Sequence, residues 1–119
     1  MAFDPTADAI FFGAYNEQAL YKFDLTTQQV TQVASIAEDF LGTVFCGDRS
    51  GYLYMGGGFI GSQAKTILQY DIANNSWETL PELTFDHNFN GSCTVSEDGF
   101  LYVGSGSLLR LQRISLGMY

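Results

Sequence analysis

The sequence predicts an all-β protein made of antiparallel sheets that recur along the chain, and three observations carry that expectation. Thirteen glycines and only two prolines punctuate 119 residues that show no sustained 3.6-residue apolar period, so short strands and turns fit where helices do not. Residues 51–83 read as an apolar run, a glycine stop, a second apolar run, an Asn-rich turn and a Trp-bearing run, which is the pattern of consecutive strands in a meander. One short pattern also repeats. Ile10-Phe11-Phe12-Gly13, Leu53-Tyr54-Met55-Gly56 and Leu101-Tyr102-Val103-Gly104 follow one another at shifts of about 43 and 48 residues, a period expected of four-stranded sheet units.

Each element has its own justification. Ala2-Phe3-Asp4-Pro5 aligns with Phe45-Cys46-Gly47-Asp48, so the chain enters near the end of a first strand. Residues 5–8 form a turn, 9–12 a second strand, 13–18 a loop and 19–25 a third strand. Thr26-Thr27-Gln28 turns the chain into a fourth strand over 29–35, whose valines and threonines suit a partly exposed edge. Residues 36–41 are expected to cross to the next sheet as a solvated acidic loop. In the second unit, 42–46 opens a strand, Asp48-Arg49-Ser50-Gly51 turns tightly, and Tyr52-Leu53-Tyr54-Met55 stops on Gly56-Gly57-Gly58. The third strand covers 66–70, Asn74-Asn75-Ser76 turns, and Trp77 lies on a short fourth strand closed by Pro81. Because both apolar runs lack clean alternation, this sheet is expected to be covered on both faces. The third unit has strands over 91–95, 100–103 and 108–116, with Ser96-Glu97-Asp98-Gly99 as its hairpin turn. That leaves it without a fourth strand.

Gly56-Gly57 after an aromatic strand, Tyr70-Asp71, and Trp77 six residues beyond Asp71 resemble a kelch repeat. The resemblance is good over residues 42–83. It is weaker in the first copy, which has Gly13-Ala14 and carries Val30 where Trp77 stands, and in the third, which has Gly104-Ser105. It implies a β-propeller built from antiparallel four-stranded blades, here a partial ring of about two and a half blades with repeats over 1–41, 42–90 and 91–119. Trp77 is then expected to be largely buried against a neighbouring blade. An incomplete arc exposes apolar faces and unpaired strand edges, so the missing atoms come from the remaining blades of a parent protein or from self-association.

Composition bounds the chemistry. A formal net charge of −8 from thirteen acidic and five scattered basic residues, with a pI near 4.2, argues against nucleic acid or an anionic membrane surface as partner. No apolar stretch is long enough for a membrane span, and no secretory signal pattern opens the chain. Cys46 and Cys93 stand at nearly equivalent places in adjacent repeats and are read as two separate buried thiols, because equivalent strands of adjacent blades are expected to lie beyond disulfide reach. One histidine and two distant cysteines make no zinc site, and the acidic turns lack the ligand spacing of a calcium loop. The Gly56-Gly57-Gly58 run has no following GK[ST] and no helix start, so it is a turn and not a phosphate cradle. Some kelch-like propellers are copper radical oxidases needing two histidines, which this chain cannot supply. Asp86 and His87 could be drawn as a general base pair, but no nucleophile is tied to them by spacing.

Neither catalysis nor a cofactor is expected. What remains is recognition by loops gathered at one end of the sheets: Tyr15, Asn16 and Glu17, then Phe59 and Gln63, then Asp86, His87 and Asn88. Aromatics beside amides and carboxylates suit a protein partner or a neutral glycan, although such loops are also what any solvated surface offers. The expected function is a non-catalytic protein-recognition module within a larger propeller. Two alternatives stand beside it: a self-assembling lectin-like subunit, and a piece of a propeller enzyme whose active residues lie elsewhere.

Overall fold

A computed structural model of the chain describes residues 1–13, 17–40, 44–56, 66–83, 92–104 and 111–117. Turn chemistry sets the first level of order, because a short acidic side chain can accept hydrogen bonds from backbone amides two or three residues on. Asp4 Oδ1 accepts from the Thr6 and Ala7 amides at 2.8 and 3.2 Å, and Asp24 from those of Thr26 and Thr27. Asp48 accepts from Ser50 and, four residues on, from Tyr52, and Asp71 from Ala73 and Asn74. Gly51 and Gly99 complete their turns at φ of 108° and 86°, a region open to glycine and strained for a side chain.

These turns join three antiparallel sheets. Sheet 1 is the meander β1 (Ala2–Asp4), β2 (Ala9–Gly13), β3 (Glu17–Asp24) and β4 (Val30–Phe40). Sheet 2 is the meander β5 (Val44–Gly47), β6 (Tyr52–Gly56), β7 (Ile67–Asp71) and β8 (Ser76–Thr79). Sheet 3 holds β9 (Ser92–Val95), β10 (Phe100–Gly104) and β11 (Leu111–Ser115). No helix occurs among the described residues. The expected meander with Trp77 on its outermost strand is present in sheet 2.

Two boundaries differ from the sequence reading. β4 does not stop at Ser35 but continues to Phe40, through the segment expected to cross as a loop. It keeps its pairing with β3 by register shifts between Glu17 and Ala19 and between Leu20 and Tyr21, since a bulge lets a strand absorb extra residues. β3 begins earlier than expected, at Glu17, inside the segment read as a loop. The expected start of the third unit's last strand lies outside the described residues, and from Leu111 to Ser115 that strand is present and pairs Leu101 with Ile114.

Two apolar clusters hold the sheets together. The first joins Ala9, Phe11 and Leu20 of sheet 1 to Leu53, Met55 and Tyr70 of sheet 2. The second joins Val44, Tyr54 and Ile67 of sheet 2 to Leu101, Val103 and Ile114 of sheet 3, with Leu83 beside them. Successive strand residues point to opposite faces, so Leu53 and Met55 serve one cluster and Tyr54 the other. All three are at most 1 % exposed, which is why this run shows no polar alternation. A polar tie crosses the first junction: the Gly51 amide donates to Asp4 Oδ2 at 2.8 Å, and Asp4 is fully buried.

The first strands of successive sheets lie side by side, β1 against β5 and β5 against β9. Gly47 marks the first approach, since a β-carbon there would sit 3.5 Å from that of Ala2. The second approach corrects the cysteine expectation: Cys46 on β5 and Cys93 on β9 form a disulfide with Cα atoms 5.7 Å apart. Opposed sheets stand about 10 Å apart across their faces, but these two strands come within the shorter reach of a disulfide. Trp77 also departs from expectation. It is half-buried and packs chiefly on Tyr70 of its own sheet, ring centroids 4.7 Å apart and planes at 45°, at the margin of the first cluster.

Candidate functional site

The sheets have two ends. At one end are the Asp-led turns described above. At the other, β2, β6 and β10 finish on Gly13, Gly56 and Gly104, and the registers Gly13↔Leu20, Gly56↔Ile67 and Gly104↔Ser92 place the connecting segments there. Glu17 begins β3 at this end, its backbone opposite Phe40. Tyr15, Asn16, Phe59, Gln63, Asp86, His87 and Asn88 lie outside the described residues. Strand direction therefore brings the flanks of all three loop segments to one end, and Glu17 is the one candidate whose backbone position is described.

The turn end and the adjoining face of sheet 2 carry features that loop reasoning missed. A groove of about 510 Å³ runs between the sheets, lined by Thr6 and Ala7 on one side and by Ser50, Gly51, Tyr52 and the Asp71 turn on the other. A neighbouring cleft of about 250 Å³ shares Tyr52 and Asp71 with it and adds Gln69, Ser76, Trp77 and Glu78. Pairing across the sheet assembles this cleft: Tyr52 faces Asp71 and Gln69 faces Glu78 in register. The signal was present in the sequence as alternate positions of three strands, but it becomes legible only once the register is known.

The polar groups around the cleft are mostly committed. Gln69 Nε2 donates to the Tyr54 hydroxyl at 3.0 Å, which satisfies a buried amide and fixes its orientation. The Asp71 carboxylate accepts from its own turn, including Asn74 Nδ2 at 2.8 Å. The Tyr70 hydroxyl donates to Asn75 Oδ1 at 2.6 Å, and Asn75 adopts φ of 50° to close the turn. Burial pushes the Tyr70 phenol above its ordinary pKa, with the negative charge of Asp71 adding to the effect. At the other turn of sheet 1, hydrogen bonds from the Thr27 and Thr26 amides hold Asp24 below the usual carboxylate range. Glu78 is exposed and the Trp77 ring is partly open. The cleft thus offers Tyr52, Gln69 and Glu78 on one face of sheet 2, while the Trp77 ring lies with Tyr70 on the opposite face. A phenol, an ordered amide and an exposed carboxylate are groups that bind hydroxyl-rich or peptide ligands.

No family model matches the chain, and no curated protein matches it significantly. Among solved structures it is similar to an auxiliary nutrient binding protein from Bacteroides thetaiotaomicron, with a TM-score of 0.68 over 91% of this chain at 11% sequence identity. The aligned part is 26% of that protein, so this chain spans about a quarter of its length. At such low identity the likeness is one of fold: successive antiparallel β-sheets.

Proposed function

We propose that the chain is a non-catalytic recognition segment of a kelch-like β-propeller, each sheet being one blade and the three forming an arc of a larger ring. The observation that supports this reading most is the repetition of register. In all three sheets the glycine that ends the second strand pairs with an aliphatic residue of the third, Gly13↔Leu20, Gly56↔Ile67 and Gly104↔Leu111, and apolar clusters sit at both junctions. On this reading the loops around Tyr15, Phe59 and His87 emerge together and contact a protein partner. A photo-cross-linking amino acid in place of Tyr15 or Phe59 should give a saturable conjugate that excess unlabelled chain competes away. The same probe in place of Thr27, at the turn end, should give none. Conjugation from the turn end alone would overturn the loop-face assignment.

A neutral glycan is the second reading, favoured by the cleft of Tyr52, Gln69 and Glu78. The nutrient-binding description of the similar solved protein is consistent with such a ligand. Calorimetric titration with neutral oligosaccharides should show saturable binding, and Glu78→Ala should weaken it. No saturable heat at millimolar sugar would exclude this reading.

A further inference from the structure

The three sheets carry equivalent residues whose exposure differs only by position in the row. Opposite the strand-ending glycine, Leu20 and Ile67 are fully buried, whereas their counterpart Leu111 is 72% exposed. On the face that looks the other way, Leu53 and Leu101 are fully buried and Met55 and Val103 are 1% exposed. Their counterparts in sheet 1, Ile10 and Phe12, are only half-buried. They line an apolar groove of about 270 Å³ with Phe23, Met1 and the 56% exposed Val30. The cross-strand partners agree. Ile10 pairs with Phe23, Leu53 with Tyr70 and Leu101 with Ile114, and the latter two aromatic or branched partners are covered while Phe23 is not.

Among the described residues these two faces stay uncovered, and they are halves of the junction that this molecule already makes twice. At each internal junction, the face holding Phe11 and Leu20, or Tyr54 and Ile67, covers the face holding Leu53 and Met55, or Leu101 and Val103. Sheet 3 presents Tyr102 and Leu111 in the covering positions, and sheet 1 presents Ile10 and Phe12 in the covered ones. Arg113, stacked over Phe100 at 4.3 Å, lends the covering face a positive charge in a chain of net charge −8. We infer that the apolar face of sheet 1 docks a second copy of this chain, through the Tyr102–Leu111 face of that copy's sheet 3. The contact is head to tail, so each copy uses both faces and association continues until the assembly closes.

This inference rests on the proposed equivalence of the sheets, and its test separates the two. Sedimentation of the purified chain over a roughly hundredfold dilution should show association that weakens as concentration falls. Raising the salt should strengthen it, because screening relieves like-charge repulsion between copies. Leu111→Lys and Val30→Lys both change exposed side chains, so the fold should survive, and each should weaken association roughly tenfold or more. Mixing the two variants is the decisive step. Each keeps the face that the other has lost, so together they should form a one-to-one heterodimer and nothing larger. An intact Cys46–Cys93 disulfide in non-reducing peptide mapping would show that sheets 2 and 3 stack as described. With that disulfide present, a wild-type chain that stays monomeric at every concentration, or variants that associate unchanged, would overturn the second copy as occupant. Loss of the disulfide pairing in oxidised protein would overturn the equivalence of the sheets itself.

Discussion

Asp4 binds two sheets with one side chain. Fully buried, it accepts from the Thr6 and Ala7 amides and the Thr6 hydroxyl in its own turn, and from the Gly51 amide of the next sheet. Replacing it with Ala removes the shared acceptor from these part-buried donors, so Asp4→Ala should lose about 1–2 kcal/mol in urea unfolding. Asp4→Asn, which keeps one acceptor oxygen, should lose less. Trp77 is the contrary case. A half-buried ring lying on Tyr70 loses less than a core residue does, and Trp77→Ala should cost about 1–2 kcal/mol. Tyr70 gives a pH signature. Its phenol titrates above the ordinary tyrosine value in the folded protein, so the folded state resists ionisation that the unfolded chain undergoes freely. The resulting stability is complete below the ordinary tyrosine pKa and disappears as pH rises through the raised one. Thermal melts of the wild type and Tyr70→Phe should therefore differ by a constant up to about pH 9 and converge above it. A difference that is flat across the alkaline range would show that the hydroxyl gains nothing from its site.

Between elements, the Cys46–Cys93 bond is the one covalent link, and it joins the first strands of sheets 2 and 3 across a sequence separation of 47. Closing a loop of that length restricts the unfolded chain, so mild reduction should lower stability by about 4 kcal/mol in the loop-entropy account. The check is denaturant unfolding with and without dithiothreitol, using Cys46→Ala/Cys93→Ala as the thiol-free reference. Agreement between the reduced protein and that variant would assign the loss to the cross-link. This bond also marks where sequence reasoning ran short. The strands themselves were legible, because Ile10-Phe11-Phe12-Gly13 and its two counterparts combine β-forming residues with a glycine stop, and Asp or Asn announces each turn. The separation of the cysteines was legible too. That β5 and β9 approach closely was not, since it follows from how whole sheets converge. The course of β4 beyond Ser35 was hidden for a similar reason: Ile36-Ala37-Glu38-Asp39 has no strand pattern of its own and is bracketed by the pairs Ala19↔Ser35 and Glu17↔Phe40. The cleft at Gln69 and Glu78 needed the register of three strands before its members could be seen as neighbours. The loop candidates other than Glu17 lie outside the described residues.

Taken as one molecule, the three sheets are unequally protected, and that inequality follows from packing order. Sheet 2 has the first cluster on one face and the second on the other, while among the described residues sheets 1 and 3 each have one face covered. Opening sheet 2 therefore exposes two apolar interfaces to water, and opening an outer sheet exposes one, at roughly 25 cal/mol per Å² of apolar surface in each case. Local opening should then rank by sheet in native-state hydrogen exchange measured at concentrations where the chain is monomeric. Amides of Leu53, Tyr54 and Met55 on β6 should exchange slowest, at rates set by global unfolding. Those of β2 and β10 should be intermediate, because each is the central strand of a half-covered sheet. The slowest-to-fastest order should end at β11, an edge strand with Leu111, Arg113 and Ser115 exposed, and at the outer end of β4 near the exposed Val30. Raising the concentration should then slow exchange selectively in β2 and β10 if the outer faces pair between copies, leaving β6 unchanged. Uniform protection across all three sheets would mean that they open as a single unit, and faster exchange in β6 than in β2 would refute the packing order itself.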